Sequence, residues 1–187
     1  MFGLDARITI IIFTALGLIT FSSFYNQITG VSATQYITDM KSTIQAYKNF
    51  KNDTNYKLTS YSNPYYYNIS ELVSLTVDNS KPYTKKYKGP YIDLEIGATN
   101  NFLRHTFLEA DIAFVSRSFK NSWASATGTQ KCSDTDCFTW IVIVGIDKDT
   151  AEEIDNIVDG VKSATKGAIR LVANGSNLDV FMAAMPE

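Results

Sequence analysis

Few residues in this chain have the types and spacing that chemistry requires. His105 is the only histidine, and it would act as a general base only beside a nucleophile such as Ser116 or Ser118. No motif fixes such a pair, so a packed or solvated imidazole is the plainer reading. Cys132 and Cys137 are the only cysteines. Without a further Cys or His pair at ligand spacing they do not make a structural zinc site, and a disulfide formed in an oxidising compartment is expected. A ring this small contributes roughly 2 kcal/mol, mainly by tethering its loop. Between the cysteines, Asp134 and Asp136 offer oxygens to a calcium ion, but no complete ligand run surrounds them. An acidic solvated loop accounts for both, and no cofactor is expected.

The remaining charged residues of interest stand at the amino terminus. Asp5 and Arg7 precede eighteen uncharged residues, Ile8 to Tyr25, which is the length at which a membrane helix becomes the first hypothesis. A basic start, a short apolar core and a small-residue cleavage site do not occur in the order a secretory signal needs. A carboxylate near a bilayer is costly unless a partner meets it. Asp5 and Arg7, two positions apart, point to different helix faces, which leaves each free to find a partner on another molecule. Gly17 is the one helix breaker inside the apolar run, and marks where a helix would yield.

Beyond the run, Ile28, Val31, Gln35, Tyr36, Met40, Ile44 and Tyr47 recur at three- and four-residue steps, the pattern of a helix with one buried face. One helix over residues 1–50 would be about 75 Å long at ~1.5 Å per residue, more than twice the ~30 Å of a bilayer's hydrocarbon core. Half would lie in lipid and half on a domain.

The rest reads as one head, residues 51–187. Residues 49–63 form a polar loop, a short helix or turn capped by Ser70 follows to Val77, and Gly89-Pro90 turns the chain into a strand over Tyr91–Ile96. Two apolar tracks, Leu103, Phe107, Ala110, Phe114 and Leu108, Ile112, Val115, Phe119, predict a helix over 101–119. Phe138–Ile146 is a β-branched run that predicts a central strand. Thr150 and Glu153 form a capping box for a helix through Val158, closed by Asp159-Gly160. Strands at Ala168–Val172 and Leu178–Met182 follow, joined by a turn at Asn174-Gly175. The expected fold is α+β, a long amino-terminal helix packed on a small antiparallel-sheet head.

With 17 basic and 19 acidic residues the net charge is −2, which gives no cationic surface to release counterions from a nucleic acid. Eleven tyrosines and eleven phenylalanines suit a protein with extensive interfaces.

Met1, the acid at the fifth position, the apolar run and its amphipathic continuation resemble type IV pilins and type II secretion pseudopilins. Lys88-Gly89-Pro90-Tyr91-Ile92 is similar to a signature of major pseudopilins. Asp155, Asp159, Gly160, Gly167 and Arg170 occupy recognisable positions of the last part of pilin-type domains. The resemblance implies a processed chain whose leader a prepilin peptidase has removed, and whose first residue is methylated. It further implies that Asp5 pairs with a neighbouring subunit's amine while an ATPase-driven platform draws subunits from the inner membrane into a helical filament. Asp5 stands where the family usually has Glu, Arg7 is an added charge, and the proline common near position 22 is missing. The filament would be a surface pilus or a periplasmic pseudopilus, serving adhesion, motility, DNA uptake or secretion. The alternative is a single-pass anchored binding domain that never polymerises.

Overall fold

A computed structural model describes residue 14 and residues 32–60, 66–74, 81–105, 110–119, 132 and 137–187; of His105 it describes the backbone alone. The first extended element is helix α1, residues 32–54. Ala33, Ile37, Met40, Ile44, Tyr47 and Phe50 are buried along it, at steps of three and four that make one continuous stripe. Gln35, Lys41, Gln45 and Lys48 face outward. The helix stops where Asn55 takes a left-handed conformation, φ 60°, and its N–H donates to the Lys51 carbonyl at 2.8 Å. Asparagine accepts that conformation more readily than most residues.

Among the described residues six strands form one antiparallel sheet: β1 (Glu95–Ile96), β2 (Leu103–His105), β3 (Ala110–Ser118), β4 (Cys137–Ile146), β5 (Ile169–Asn174) and β6 (Asn177–Pro186), in the spatial order β1-β2-β3-β4-β6-β5. Helix α2, Lys148–Asp159, connects β4 to β5. A 3₁₀ turn at Ile69–Leu72 and another at Thr84–Lys86 fill the connection after α1.

Both helices lie on one face of the sheet. Their apolar stripes meet Ile112, Phe114, Ile141, Ile143, Ile169, Val180 and Met182 in the main core, where the rings of Tyr47 and Phe114 are 5.2 Å apart. The opposite face carries a smaller cluster of Ala113, Val115, Trp140, Val142, Val172 and Phe181. Trp140 anchors that cluster, its indole N–H donating to the Arg117 carbonyl at 3.2 Å.

Several expectations are corrected. The anticipated long helix over residues 1–50, half in lipid and half on a small head, is overturned. The described helices are the short α1 and α2, and neither is long and apolar enough to cross a membrane. The polar outer face of α1 is the reason, since Lys41, Lys48 and their amide neighbours cannot lie in hydrocarbon. Gln35, assigned to the buried face, is exposed. The loop expected from residue 49 is still helix to 54, because Phe50 and Thr54 are fully buried.

Residues 101–119 hold β2 and β3 in place of a helix. Ile112, Ala113, Phe114 and Val115 are all buried, so β3 is covered on both faces. Such a strand shows no alternation to distinguish it from a helix. The strand expected over Tyr91–Ile96 shrinks to Glu95–Ile96, and the helix capped by Ser70 is a 3₁₀ turn with Asn68 at its cap position.

The carboxyl-terminal half follows its sequence closely. The expected central strand is β4, the expected last strands are β5 and β6, and α2 ends at Gly160, φ 73°. Its cap is Asp147, whose carboxylate accepts from the Thr150 N–H at 2.9 Å, in place of the expected Thr150.

Candidate functional site: two clasps at the helix ends

The residues singled out from the sequence separate into three groups. Met1, Asp5, Arg7, Gly17, Asp134 and Asp136 lie outside the described residues. Cys132 and Cys137 form the expected disulfide, with Cα atoms 5.6 Å apart. Gly89, Pro90, Asp155, Asp159, Gly160, Gly167 and Arg170 gather at two places, the carboxyl-terminal ends of α1 and α2.

At the end of α1, Asp53 is held from two sides. The Lys88 ammonium donates to one carboxylate oxygen at 3.2 Å and the Tyr91 hydroxyl donates to the other at 3.2 Å. The Lys88 backbone N–H in turn donates to the Tyr91 hydroxyl oxygen at 3.1 Å. Gly89 and Pro90, joined by a cis peptide bond, bring Lys88 and Tyr91 to the same carboxylate.

Gly89 has a second reason to be glycine. A Cβ there would stand 2.4 Å from the Tyr87 ring, which lies against the turn. Tyr87 and Tyr91 meet edge to face at 5.2 Å, and both pack around Phe50 of α1. Burial pushes the Tyr87 hydroxyl up to about 12 and raises that of Tyr91 as well. Both rings therefore stay neutral and act as packing surface with a polar handle.

At the end of α2 the anchoring acid is Asp159. One carboxylate oxygen accepts from the Ala168 N–H at 3.0 Å and the other from the Ile169 N–H at 2.9 Å, so the acid closes the loop that leads into β5. One turn earlier, Asp155 has no exposed surface and accepts from the Ser163 N–H at 2.5 Å. Burial raises the Asp155 carboxyl above the ordinary range, the nearby Asp159 adds to the rise, and the Ser163 amide and Arg170 oppose it.

Arg170 is 5% exposed. Its guanidinium donates to the carbonyls of Gly167 and Ile169 and lies within 5.6 Å of the Phe119 and Trp140 ring centres. Burial lowers its pKa, with Asp159 and Asp155 resisting that fall. It remains charged, a role guanidinium fills better than ammonium because it is weakly hydrated and stacks. Gly167 sits at φ 94°, and a Cβ there would stand 2.0 Å from an Asp159 oxygen. The five residues are thus one structural unit.

Three other fasteners had no sequence signal, because their partners are distant in the chain. Glu71 is 3% exposed. It accepts from the Thr59 hydroxyl, from the Thr59 N–H at 3.3 Å and from the Asn68 amide at 3.3 Å, with Lys81 3.8 Å away. Tyr67 donates to the Glu187 carboxylate at 2.8 Å; burial raises its pKa and that hydrogen bond adds to the effect. Asp179 accepts from the Gly145 N–H at 3.0 Å, where β4 departs from regular register with β6.

His105 is paired with Ala110, which places it six residues, about 20 Å at ~3.3 Å per residue, along β3 from Ser116. Ser118 is farther still along β3, so the strand separates both serines from that backbone position. Among the described residues no group of three or more His, Cys, Asp or Glu side chains could hold a metal ion. In both clasps the carboxylates accept from amides, a hydroxyl or an ammonium, an arrangement that holds the chain following each helix. Comparison with family models, curated proteins and solved structures finds nothing that matches this chain.

Proposed function

We propose that this chain is a structural subunit of a type IV pilus-like filament, assembled through its apolar amino-terminal segment. The observation that carries the reading is the position of α1. Its described part, residues 32–54, starts seven positions after the apolar run of Ile8–Tyr25 in the sequence and buries its inner stripe against the sheet. Tension applied at the amino-terminal segment passes along α1 into β3, β4 and β6 by packing, and into the 3₁₀ connection through Asp53. A tethered head in a polymer needs that continuity, whereas a freely hinged binding domain does not.

In this reading Asp5 meets the amine of Met1 on a neighbouring copy, and Arg7 supplies a second intermolecular charge. A carboxylate drawn into an apolar filament interior has to be paired. Identical subunits are the principal partners. The prepilin peptidase and the ATPase-driven platform act before assembly, while the chain waits in the inner membrane. The filament is then a cell-surface pilus or a periplasmic pseudopilus.

The test is electron microscopy of sheared cell-surface material with mass spectrometry of its main band, for wild type and Asp5→Ala. Filaments built of this chain in the wild type and lost in the variant support the reading. A chain that stays wholly in the membrane, with no filaments in either, overturns the surface-pilus form and favours a pseudopilin or a plain anchored domain.

A further inference from the structure

Among the described residues the two ends of the sheet differ in character, and at the β5 end the connection from α2 lies along the strand, its Ala164 carbonyl accepting from the Leu171 N–H at 3.0 Å. β1 is the first strand in spatial order and β5 the last. On the β1 edge, Asp93 and Glu95 are exposed and Ile96 is 39% exposed. Arg104 stands directly across from Glu95, and Asp111 directly across from Arg104. Among the described residues of this edge, Asp93, Glu95 and Asp111 stand against Arg104 alone, which leaves it net negative.

Beside β5, the connection from α2 presents Lys162 and Lys166, both exposed, with Val161 62% exposed. Lys162 lies 3.5 Å from Glu152, which also faces Lys148 at 3.7 Å. The Val161–Lys166 segment itself carries two lysines and no acid. Asp93, Glu95 and Lys166 form no ion pair with any described residue.

We infer that the β1 edge of one copy docks against the Val161–Lys166 segment at the β5 edge of the next, with acids facing lysines and Ile96 facing Val161. The contact joins two different surfaces, so it leaves a free edge of each kind at the ends and propagates where a two-fold contact would close. The charges also guard each edge against its own kind. Acid against acid and lysine against lysine repel, which leaves the mixed pairing as the one the electrostatics favour. The inference rests on the filament reading and supplies its contact between heads.

The two edges of one molecule are five strand spacings apart, about 24 Å at ~4.8 Å each. A disulfide needs Cα atoms within ~7 Å, so cysteines placed at Glu95 and Lys166 can join only different molecules. In the full chain carrying E95C and K166C, mild oxidation of surface filaments is expected to give a ladder of dimers, trimers and higher species on a denaturing gel. Filaments that yield monomer alone overturn the docking.

Charge reversal is the second arm. D93K/E95K and K162E/K166E are each expected to lower filament number about tenfold, and the four changes together to restore it, as complementary pairing requires. Both double variants assembling like wild type, or a fourfold variant as poor as the doubles, would overturn the inference while leaving the subunit reading intact. A wild type without filaments would overturn the surface-pilus form itself.

Discussion

The two clasps solve the same problem, holding the chain that follows a helix, with opposite use of water. The clasp at the end of α1 is a wet one. Lys88 is 73% exposed in its ion pair with Asp53, and most of the holding is done by the ring cluster of Phe50, Tyr83, Tyr87 and Tyr91 beneath it. The clasp at the end of α2 is dry. Asp155 and Arg170 are buried, and Asp159 is spent on two backbone amides. In the wet clasp the polar groups select a geometry that apolar packing stabilises. In the dry clasp the polar groups are the packing, so removing any one strands the others.

The largest contrast should come from glycine. Gly167→Ala places a methyl on the Asp159 carboxylate at a positive φ, and is expected to cost about 3 kcal/mol or more, read from the urea unfolding midpoint. Gly160→Ala, also at positive φ but with open space around it, should cost about 1 kcal/mol, the ordinary charge for a left-handed alanine. Equal losses at the two positions would show that backbone conformation, and not the close approach of Asp159, makes Gly167 necessary.

Asp159→Asn comes next. An amide offers one acceptor oxygen where two N–H groups need one each, so one is left facing a donor. The expected loss is about 2 kcal/mol. In the wet clasp the corresponding change, Lys88→Ala, should stay within about 0.5 kcal/mol, since exposed pairs contribute little and the rings remain. A loss at Lys88 as large as that at Asp159 would erase the distinction between the clasps. The melting temperatures of both variants, measured beside wild type, decide it.

How much of this was legible depends on the range of each contact. β4 shows in the sequence because Trp140 to Val144 is an unbroken β-favouring run, and α2 shows because its acids, its cap and Gly160 are neighbours. The dry clasp was half visible: Asp155, Asp159, Gly160, Gly167 and Arg170 span sixteen positions and stood out together, but nothing in the sequence showed the amide and carbonyl contacts that join them. The wet clasp was visible only as the stretch Lys88-Gly89-Pro90-Tyr91-Ile92. Its acid, Asp53, lies 35 residues before Lys88, a separation no local pattern reports.

β3 failed for a different reason. Apolar residues at Leu103, Phe107, Ala110 and Phe114 fit a helix as well as a doubly covered strand, and the pairing partners that decide the matter come from β4, between 19 and 33 residues away. The amphipathic stripe of α1 was legible from Tyr36 to Tyr47. Its extension to residue 54 depends on rings at Tyr83 and Tyr91 that cover Phe50.

Gly89→Ala sharpens the wet side. The added Cβ meets the far end of the Tyr87 ring, a side chain that can rotate away while Phe50 keeps Tyr91. The expected cost is about 1 kcal/mol, well below that at Gly167, where the obstacle is a carboxylate already bound to two amides. Near-ultraviolet circular dichroism should register the displaced tyrosine even where the unfolding midpoint moves little. A loss matching Gly167→Ala would mean that the Tyr87 ring is held as rigidly as Asp159.

The smallest effect, and the one most particular to the dry clasp, is its response to pH. Asp155 has a folded-state pKa raised above its ordinary value, chiefly by burial, so the folded protein retains a proton that the unfolded chain has already released. Stability from this group is therefore fully present below the ordinary aspartate range, and is lost as pH rises through the raised folded value. Asp155→Asn keeps an oxygen to accept from the Ser163 N–H and removes the titration. The difference in melting temperature, wild type minus variant, should fall as pH rises across that interval and then level off. Lys88→Ala, outside the dry clasp, should leave this pH-dependent difference unchanged. A difference that rises with pH would mean that Arg170 and the Ser163 amide stabilise the Asp155 carboxylate more than burial disfavours it, reversing the electrostatic balance assigned to that clasp.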